Sequence, residues 1–304
     1  MSIANRLAVR AATEYFIYDG TPSYDFRCLV FPRDIDSAQE KEYTPVSVPG
    51  RNGDILLSNK RFGNIIHSYD CIIYENFDIN FANMRDFLLS RDGYCRLTDT
   101  FNPDEFYHAY FAESIQPTVW RDRSIGKFTL SFMRKPQRWL KSGDEWIQVY
   151  GSVNGSAASY WFNSGEVYNP TYNPSYPLLF LYGDTLSDNG FIPGLEISKD
   201  DNGTIITMVA PDNSTAQTRL NTCGMYIDME TLQAYSAPNA YSGSTVYDPY
   251  NVTNAVIMKK LGKNYFHQLA PGTTLFKQDR RVAGTYELTD VVKDIRVKPR
   301  WYRL

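Results

Sequence analysis

A tight turn at residues 48–54 restricts the fold most strongly, because such a turn has to join two extended segments. Pro49 fixes φ at about −65°, and Gly50 and Gly53 accept positive φ without steric cost. Asn52 followed by Gly53 is a pair that favours the two-residue turn of a β-hairpin. We therefore predict an ordered turn over residues 49–54 between two strands.

Two charged side chains, Arg51 and Asp54, project from the predicted turn. The simplest interpretation is an ordinary hairpin with a solvated ion pair, since Gly and Asn mark most hairpin turns. The alternative is that the turn presents both charges to a neighbouring molecule. The residues of the turn leave both interpretations open.

The composition favours a globular protein built mainly from strands. Of the 304 residues, 43% are hydrophobic and 21% are charged, which is typical of folded chains. Aromatic residues make up 15%, with 23 Tyr against 17 Phe and 5 Trp, and Tyr suits strands and partly wet surfaces. This length is large for one hydrophobic core and favours two domains.

Charge and hydropathy argue against two classes of partner. The formal net charge is −3 and the chain has no long run of Lys or Arg, so we expect no nucleic-acid recognition. There is no long unbroken apolar stretch, so we expect no membrane insertion. Residues 1–6 lack the apolar core of a signal peptide, and we expect a protein made and used without Sec export.

The first half of the chain predicts one helix. Phe81, Met84 and Leu88 recur at the i, i+3, i+7 spacing of a single apolar stripe, and Gly93 offers a left-handed stop. A stripe of this kind packs on a sheet more often than it binds a cofactor or a partner.

Most of the remaining first 140 residues predict strands. Residues 34–44 are polar and predict a loop, whereas residues 65–75 are rich in strand-forming side chains. Apolar and polar residues alternate over 127–133, which predicts a half-buried strand. Pro136 has no N–H to donate to a ladder and should end that strand.

The composition changes at residues 141–176, which are rich in Ser, Gly, Asn and Tyr, and we place the domain boundary in this segment. The predicted domains are residues 1–140 and 141–304. In the second domain, short strands separated by turns predict a β-sandwich. Residues 236–254 form a polar insertion with several Tyr, and residues 285–297 alternate like an edge strand.

The sequence has no recognisable motif for a catalytic, metal or cofactor site. Its three His are far apart and its four Cys lack CxxC spacing, so we expect buried free thiols and neither a metal nor a cofactor. The segment Asp200-Asp201-Asn202-Gly203 predicts a hairpin turn and lacks the downstream spacing of a calcium loop. The two carboxylates of a glycosidase could stand anywhere among 34 acidic residues, which leaves that enzyme class open.

Several stretches together give the sequence a resemblance to a known family. They are YFIYDGTPS at 15–23, VPGRNGD at 48–54, FMRKPQR at 132–138, MYID at 225–228 and LAPGT at 269–273. In this order and at this spacing, they resemble the distal tail (Dit) proteins of siphophages that infect Gram-positive bacteria. Segments 141–176 and 236–254 are longer and more polar than a minimal member of that family needs.

The resemblance implies an N-terminal tail-tube-like β-sandwich or split barrel with one α-helix, followed by a C-terminal galectin-like β-sandwich. It implies a structural protein without enzymatic activity, located at the virion tail tip and assembled in the cytoplasm of the bacterial host. Six copies would form a homohexameric ring between the tail tube protein and the tail-tip and receptor-binding proteins, around the end of the tape-measure protein.

Within such a ring, we expect the predicted turn and the end of the strand at 127–133 to lie at or near the subunit interface. The candidate interface residues are Pro49, Gly50, Arg51, Gly53, Asp54, Arg134 and Pro136. Two other functions remain open. The Tyr-rich second domain would suit a carbohydrate-binding module for a host cell-surface glycan, and a cell-wall glycoside hydrolase is the third alternative.

Overall fold

The computed structural model describes residues 3–32, 41–111, 113–120, 122–151, 165–183, 195–198, 204–206, 224–231, 233–236, 257–260, 268–278 and 292–304. The chain divides into two compact units, Met1–Lys141 with Leu304 and Ser142–Arg303. The strands pair in antiparallel ladders in both units, which confirms the prediction of a mainly β protein.

The first unit contains eleven strands and two α-helices among its described residues. They are α1 (Ile3–Ala11), β1 (Phe16–Tyr18), β2 (Thr21–Pro22), β3 (Cys28–Pro32), β4 (Lys41–Val46), β5 (Ile55–Phe62), β6 (Ile65–Ile73), α2 (Phe77–Leu89), β7 (Cys95–Asp99), β8 (Glu105–Phe111), β9 (Thr118–Val119), β10 (Gly126–Arg134) and β11 (Arg138–Leu140). Neither helix has the length and apolar character needed to cross a membrane.

The main sheet of this unit follows the order β2-β1-β7-β8-β10-β6-β3. Its longest ladder pairs β10 with β6 from Gly126 opposite Ile73 to Arg134 opposite Ile65. The N–H of Val30 in β3 donates to the carbonyl of Glu14, just before β1, at 3.3 Å. The two ends of the sheet are therefore close, as expected of a split barrel.

Helix α2 covers the core of the sheet with its predicted apolar stripe. Met84 and Leu88 are buried, and the Phe81 ring packs edge-on against the Phe128 ring at 5.3 Å between centroids. The predicted strand over residues 127–133 is β10, and it ends two residues before Pro136 as expected.

Two elements of this unit differ from the sequence-based expectations. Helix α1 was not expected; Ala11 is buried, and Leu7 packs against the small core cluster of Leu29 and Tyr74. Residues 34–44 were expected to form a loop, but their last four residues begin β4, which pairs with β5. Pairing with β5 stabilises this polar strand, whereas the sequence of β4 alone gives only a weak strand signal. Residues 33–40 lie outside the described part of the chain.

The second unit contains two sheets among its described residues. The six-stranded sheet has the order β12-β21-β14-β17-β18-β19 and the four-stranded sheet has the order β13-β20-β15-β16. The strands are β12 (Ile147–Gly151), β13 (Gly165–Asn169), β14 (Leu178–Gly183), β15 (Leu195–Ser198), β16 (Thr204–Ile206), β17 (Met225–Asp228), β18 (Gln233–Ser236), β19 (Ile257–Lys260), β20 (Gly272–Gln278), β21 (Val292–Lys298) and β22 (Tyr302–Arg303).

One strand of the second unit corrects the sequence analysis. Of the edge strand expected at 285–297, residues 285–291 lie outside the described part of the chain, and the rest belongs to β21, which lies between β12 and β14 and buries Ile295 and Val297. Alternation alone cannot separate an edge strand from a central strand with one covered face. The turn expected at 200–203 and residues 237–254 of the expected insertion lie outside the described residues.

Replacing Gly126 by Ala is expected to lower the free energy of unfolding by about 1–3 kcal/mol. A Cβ on this residue would overlap the buried ring of Phe77 at the start of α2, so the ring or the strand would have to move. The shift of the urea midpoint, followed by circular dichroism, measures the effect. Gly63→Ala is the matched control, since its Cβ would meet no heavy atom within 4 Å. Equal midpoints for the two variants would contradict the prediction.

Candidate functional site

Strands β4 and β5 form a hairpin whose turn carries the predicted interface residues. Val46 pairs with Ile55, and the segment between them contains the turn. Gly50 and Gly53 both have a φ of +81°, a conformation that Gly adopts without strain. The N–H of Arg51 donates to the carbonyl of Val48 at 3.2 Å. The ordered turn between two strands is therefore confirmed.

The hairpin is exposed over its whole length from residue 41 to residue 59. Leu56 is 63% and Leu57 is 52% exposed in the single chain. The other large exposed hydrophobic residues of the hairpin are Tyr43, Val46, Val48 and Ile55. An isolated two-stranded hairpin is only marginally stable in water, and clustered exposed apolar residues mark contact surfaces. In the single chain, the hairpin therefore forms an exposed arm.

The charges of the arm are also exposed. Arg51 and Asp54 lie on the exposed tip. Farther along the arm, Arg61 and Glu42 form an ion pair at 3.6 Å with both side chains at least half exposed. Exposed pairs of this kind contribute little to stability.

The other two candidate residues occupy a different environment. Arg134 ends β10 and is 3% exposed, and its guanidinium lies 4.9 Å from the centroid of the Tyr107 ring. Burial lowers the pKa of Arg134. Pro136 is also buried.

The structure does not bring the tip of the hairpin together with Arg134. Arg134 pairs with Ile65, which follows the base of the hairpin, whereas the tip lies at the far end of β5. A strand of eight residues spans about 26 Å. The candidate residues therefore form an exposed group of five on the turn and a separate buried pair.

A buried polar network lies beside Arg134. Asp99, the last residue of β7, accepts a hydrogen bond from the Tyr69 hydroxyl at 2.8 Å through Oδ2. Its Oδ1 accepts the backbone N–H groups of Phe101 and Asn102 at 3.0 and 2.7 Å. The His67 Nε2 lies 3.7 Å from Asp99 Oδ2, with the two side chains 6% and 1% exposed.

The network is buried, since its His67 and Asp99 side chains are 6% and 1% exposed. His67 and Asp99 resemble the base and orienting group of a hydrolase, but burial of this degree in the described part of the chain favours a structural role. Among the described residues, no group of three His, Cys, Asp or Glu could hold a metal ion.

The sequence analysis missed this network. The signal that could have found it is alternation, since Asp99 lies two residues after the buried Leu97 and shares its inward face. His67 precedes Tyr69 in the same way on β6. A polar residue at an inward position indicates a buried hydrogen-bonded group.

The stability of the protein is expected to fall through Asp99 as the pH drops below about 5, through the unfolded-state pKa and on through the lower folded-state pKa. Burial raises the pKa of Asp99, but the neighbouring His67 and Tyr69 oppose this effect and the net pKa is below its ordinary value. A lowered folded-state pKa means that the carboxylate stabilises the fold above its unfolded-state pKa of about 3.9, and this contribution is lost as the pH falls through the folded-state value.

Urea unfolding at a series of pH values tests this assignment. Asp99→Asn is expected to flatten the dependence of unfolding free energy on pH in this window. Asp86→Asn, which changes an exposed carboxylate on α2, is the control and should keep the slope of the unmodified chain. Identical slopes for Asp99→Asn and the unmodified protein would show that another group carries the acid dependence.

Comparison with solved structures relates this fold to phage tail proteins. No protein-family model and no curated protein matches the sequence. The crystal structure of the Dit protein of phage SPP1 matches with a TM-score of 0.59 and 15% identity, over 96% of this chain and 99% of that chain. A chain of the phage P2 baseplate in its activated conformation with calcium matches with a TM-score of 0.47 and 9% identity, over 93% of this chain and 97% of that chain. A chain of the same baseplate with strontium matches with a TM-score of 0.48 and 10% identity, over 96% of this chain and 98% of that chain. The likeness to the SPP1 protein spans both units, and the chain has a Dit-like fold.

Proposed function

We propose that the protein is a structural hub of a phage tail tip, in which six copies form a ring between the tail tube and the tip and receptor-binding proteins. The observation that carries this proposal is the likeness of nearly the whole chain to the SPP1 Dit protein, which is described as a hub of the adsorption apparatus in phages that infect Gram-positive bacteria. Fold alone does not fix function, so the exposed surfaces of this chain have to support the same role.

The exposed β4–β5 arm supports self-assembly. Leu56 and Leu57 offer apolar area, and the tip offers one positive and one negative charge, Arg51 and Asp54. A ring is closed by one head-to-tail contact repeated between copies, so each copy needs a donor surface and a receiving surface. The arm is the donor surface in this proposal, and the buried pair Arg134 and Pro136 supports the base from which it projects.

The two units take different roles in the proposed hub. Residues 1–140 form the tail-tube-like, ring-forming domain. Residues 141–304 form a galectin-like sandwich, with residues 141–176 as the boundary segment. The partners are the tail tube protein, the tape-measure protein and the tip and receptor-binding proteins, and the location is the virion tail tip after assembly in the host cytoplasm. The role uses surfaces and requires no catalytic group.

The purified protein is expected to form rings of six copies, about six times the 34.9 kDa of one chain. Mass photometry gives the copy number, and negative-stain micrographs show whether the particle has a central channel. Leu56→Asp combined with Leu57→Asp should dissociate the ring and leave the unfolding midpoint of the single chain nearly unchanged, because both side chains are already exposed there.

Ile79→Asp is the control for these substitutions, since Ile79 is 66% exposed on α2 and not part of the arm. It should keep the ring. A protein that stays a single chain at high concentration would refute the hub, and an intact ring in the double variant would refute the role of the arm.

Gly53→Val is expected to prevent ring assembly more than it lowers the stability of the single chain. At a φ of +81°, a β-branched side chain strains the backbone, so the tip has to change conformation. Gly20→Val is the matched control, because Gly20 has a φ of +79° in the turn between β1 and β2. Both variants should lose similar stability, as measured by urea unfolding, and only Gly53→Val should lose the ring. An unaltered hexamer in Gly53→Val would argue against a role of the tip.

A further inference from the structure

We propose that Asn52, at the tip of the arm, is a site of spontaneous covalent modification, at which the side-chain amide is converted to a carboxylate. The reaction needs only water, and its products are aspartate and isoaspartate. In the part of the chain that the structure describes, Asn52 is the one asparagine that a glycine follows directly. The modification itself does not require ring formation.

The modification proceeds in two steps through a cyclic imide. The backbone nitrogen of Gly53 first attacks Cγ of Asn52. A bond forms between these two atoms, the bond from Cγ to Nδ2 breaks, and the amide nitrogen leaves as ammonia with the proton of the Gly53 N–H. One water molecule then opens the ring. Opening at Cγ gives aspartate, and opening at the backbone carbonyl carbon gives isoaspartate, so neither an oxidant nor a reductant is needed.

Gly53 gives its backbone nitrogen open access to the neighbouring amide. It has no Cβ, and a Cβ placed there would meet no heavy atom within 4 Å. The backbone hydrogen bond of the turn joins the N–H of Arg51 to the carbonyl of Val48. Among the described residues, no acceptor receives the N–H of Gly53. The attacking nitrogen therefore does not have to give up a hydrogen bond before it reacts.

The side chain of Asn52 is equally accessible. Residues 51–54 are all exposed, so water reaches the amide and the imide that forms from it. Within the described part of the chain, no hydrogen bond holds the amide of Asn52. The side chain can therefore rotate until Cγ meets the nitrogen of Gly53. Because both atoms belong to neighbouring residues, the reaction is intramolecular and gains the corresponding rate advantage.

Other asparagines show what protection looks like in the same fold. Asn59 is exposed, but it lies within β5, and its amide donates a hydrogen bond at 3.3 Å. The amide of Asn64 donates at 2.7 Å, and the β-branched Ile65 follows it. Asn169 is 1% exposed and precedes Pro170, whose nitrogen carries no proton. Exposure, a free amide and a following glycine coincide at Asn52.

Conversion changes both the charge and the backbone of the tip. Asn52 stands between Arg51 and Asp54, whose charges balance. A new carboxylate with an ordinary pKa of about 4 gives the tip a net negative charge at neutral pH. Isoaspartate also carries the chain through Cγ and so inserts an additional methylene into the backbone. The turn between Val46 and Ile55 then has to change its conformation.

A consequence for assembly rests on the proposed function. If the tip contacts a neighbouring copy in the ring, added negative charge and a longer turn weaken that contact. The contact also covers Asn52 and holds its turn, so an assembled copy is protected from the reaction. The modification then limits the time during which a single chain remains competent to assemble.

Incubation of the full chain at mildly alkaline pH, followed by peptide mapping, tests the proposal. A protease that cleaves after lysine releases residues 42–60 as one peptide, which contains both Asn52 and Asn59. In single chains, we expect Asn52 to gain about 1 Da, because NH2 is replaced by OH, at a rate within about threefold of that in a free peptide of residues 48–57. Asn59 is the internal control and should convert at least about tenfold more slowly.

Two variants complete the design. Asn52→Gln keeps an uncharged amide but moves its carbon one methylene farther from the nitrogen of Gly53, so residue 52 should remain unmodified. Asn52→Asp supplies the new charge without the longer backbone. We expect Asn52→Gln to form rings like the unmodified chain, and Asn52→Asp to form fewer. Leu56→Asp combined with Leu57→Asp supplies single chains for the rate measurement.

Two outcomes would overturn the modification. They are an unchanged Asn52 in single chains after the free peptide has been converted, and conversion of Asn52 and Asn59 at the same rate. Equal conversion in rings and single chains would refute the protection by assembly. The copy number, measured on the same samples, separates this inference from the hub. Conversion in a chain that never forms rings refutes only the hub, and a ring-forming protein whose single chains keep Asn52 refutes only the modification.

Discussion

The nine-residue ladder between β6 and β10 is the interaction on which the first unit depends. Its inward side chains, among them Tyr69, Phe128 and Phe132, form the centre of the aromatic core. Helix α2 packs on this core from one side. Strand β5 runs directly into β6, so the same ladder fixes the base of the exposed arm.

The first unit separates two kinds of polar group. Asp99 and Arg134 lie in the core, where hydrogen bonds and aromatic rings partly replace water. Arg51 and Asp54 lie in water at the tip of the arm. Buried groups of this kind hold one arrangement of the core, since moving them leaves a charge without partners. The charges of the tip are free of that restriction and suit recognition between molecules.

The second unit shows the same division on a smaller scale. Asn169 and Ser175 are buried beneath a loop whose exposed residues are Tyr and Pro. The amide of Asn169 and the hydroxyl of Ser175 fix the backbone of this loop. The second unit therefore uses buried polar residues to hold an exposed loop in place.

Local residue chemistry determined several features of this protein by itself. Pro49, Gly50 and Gly53 specify a turn whatever surrounds them, the spacing of Phe81, Met84 and Leu88 specifies α2, and Pro136 ends β10 because it has no N–H to donate. Tertiary structure alone decided the rest. Pairing with β5 makes a strand of the polar segment that begins at Lys41. Neighbouring strands on both sides place β21 inside its sheet. The closing of the main sheet of the first unit buries Asp99 and Arg134. The physical reason is the sequence separation of the interacting residues. A turn or a helix is fixed by neighbours along the chain, whereas strand position and burial depend on residues that are distant in sequence.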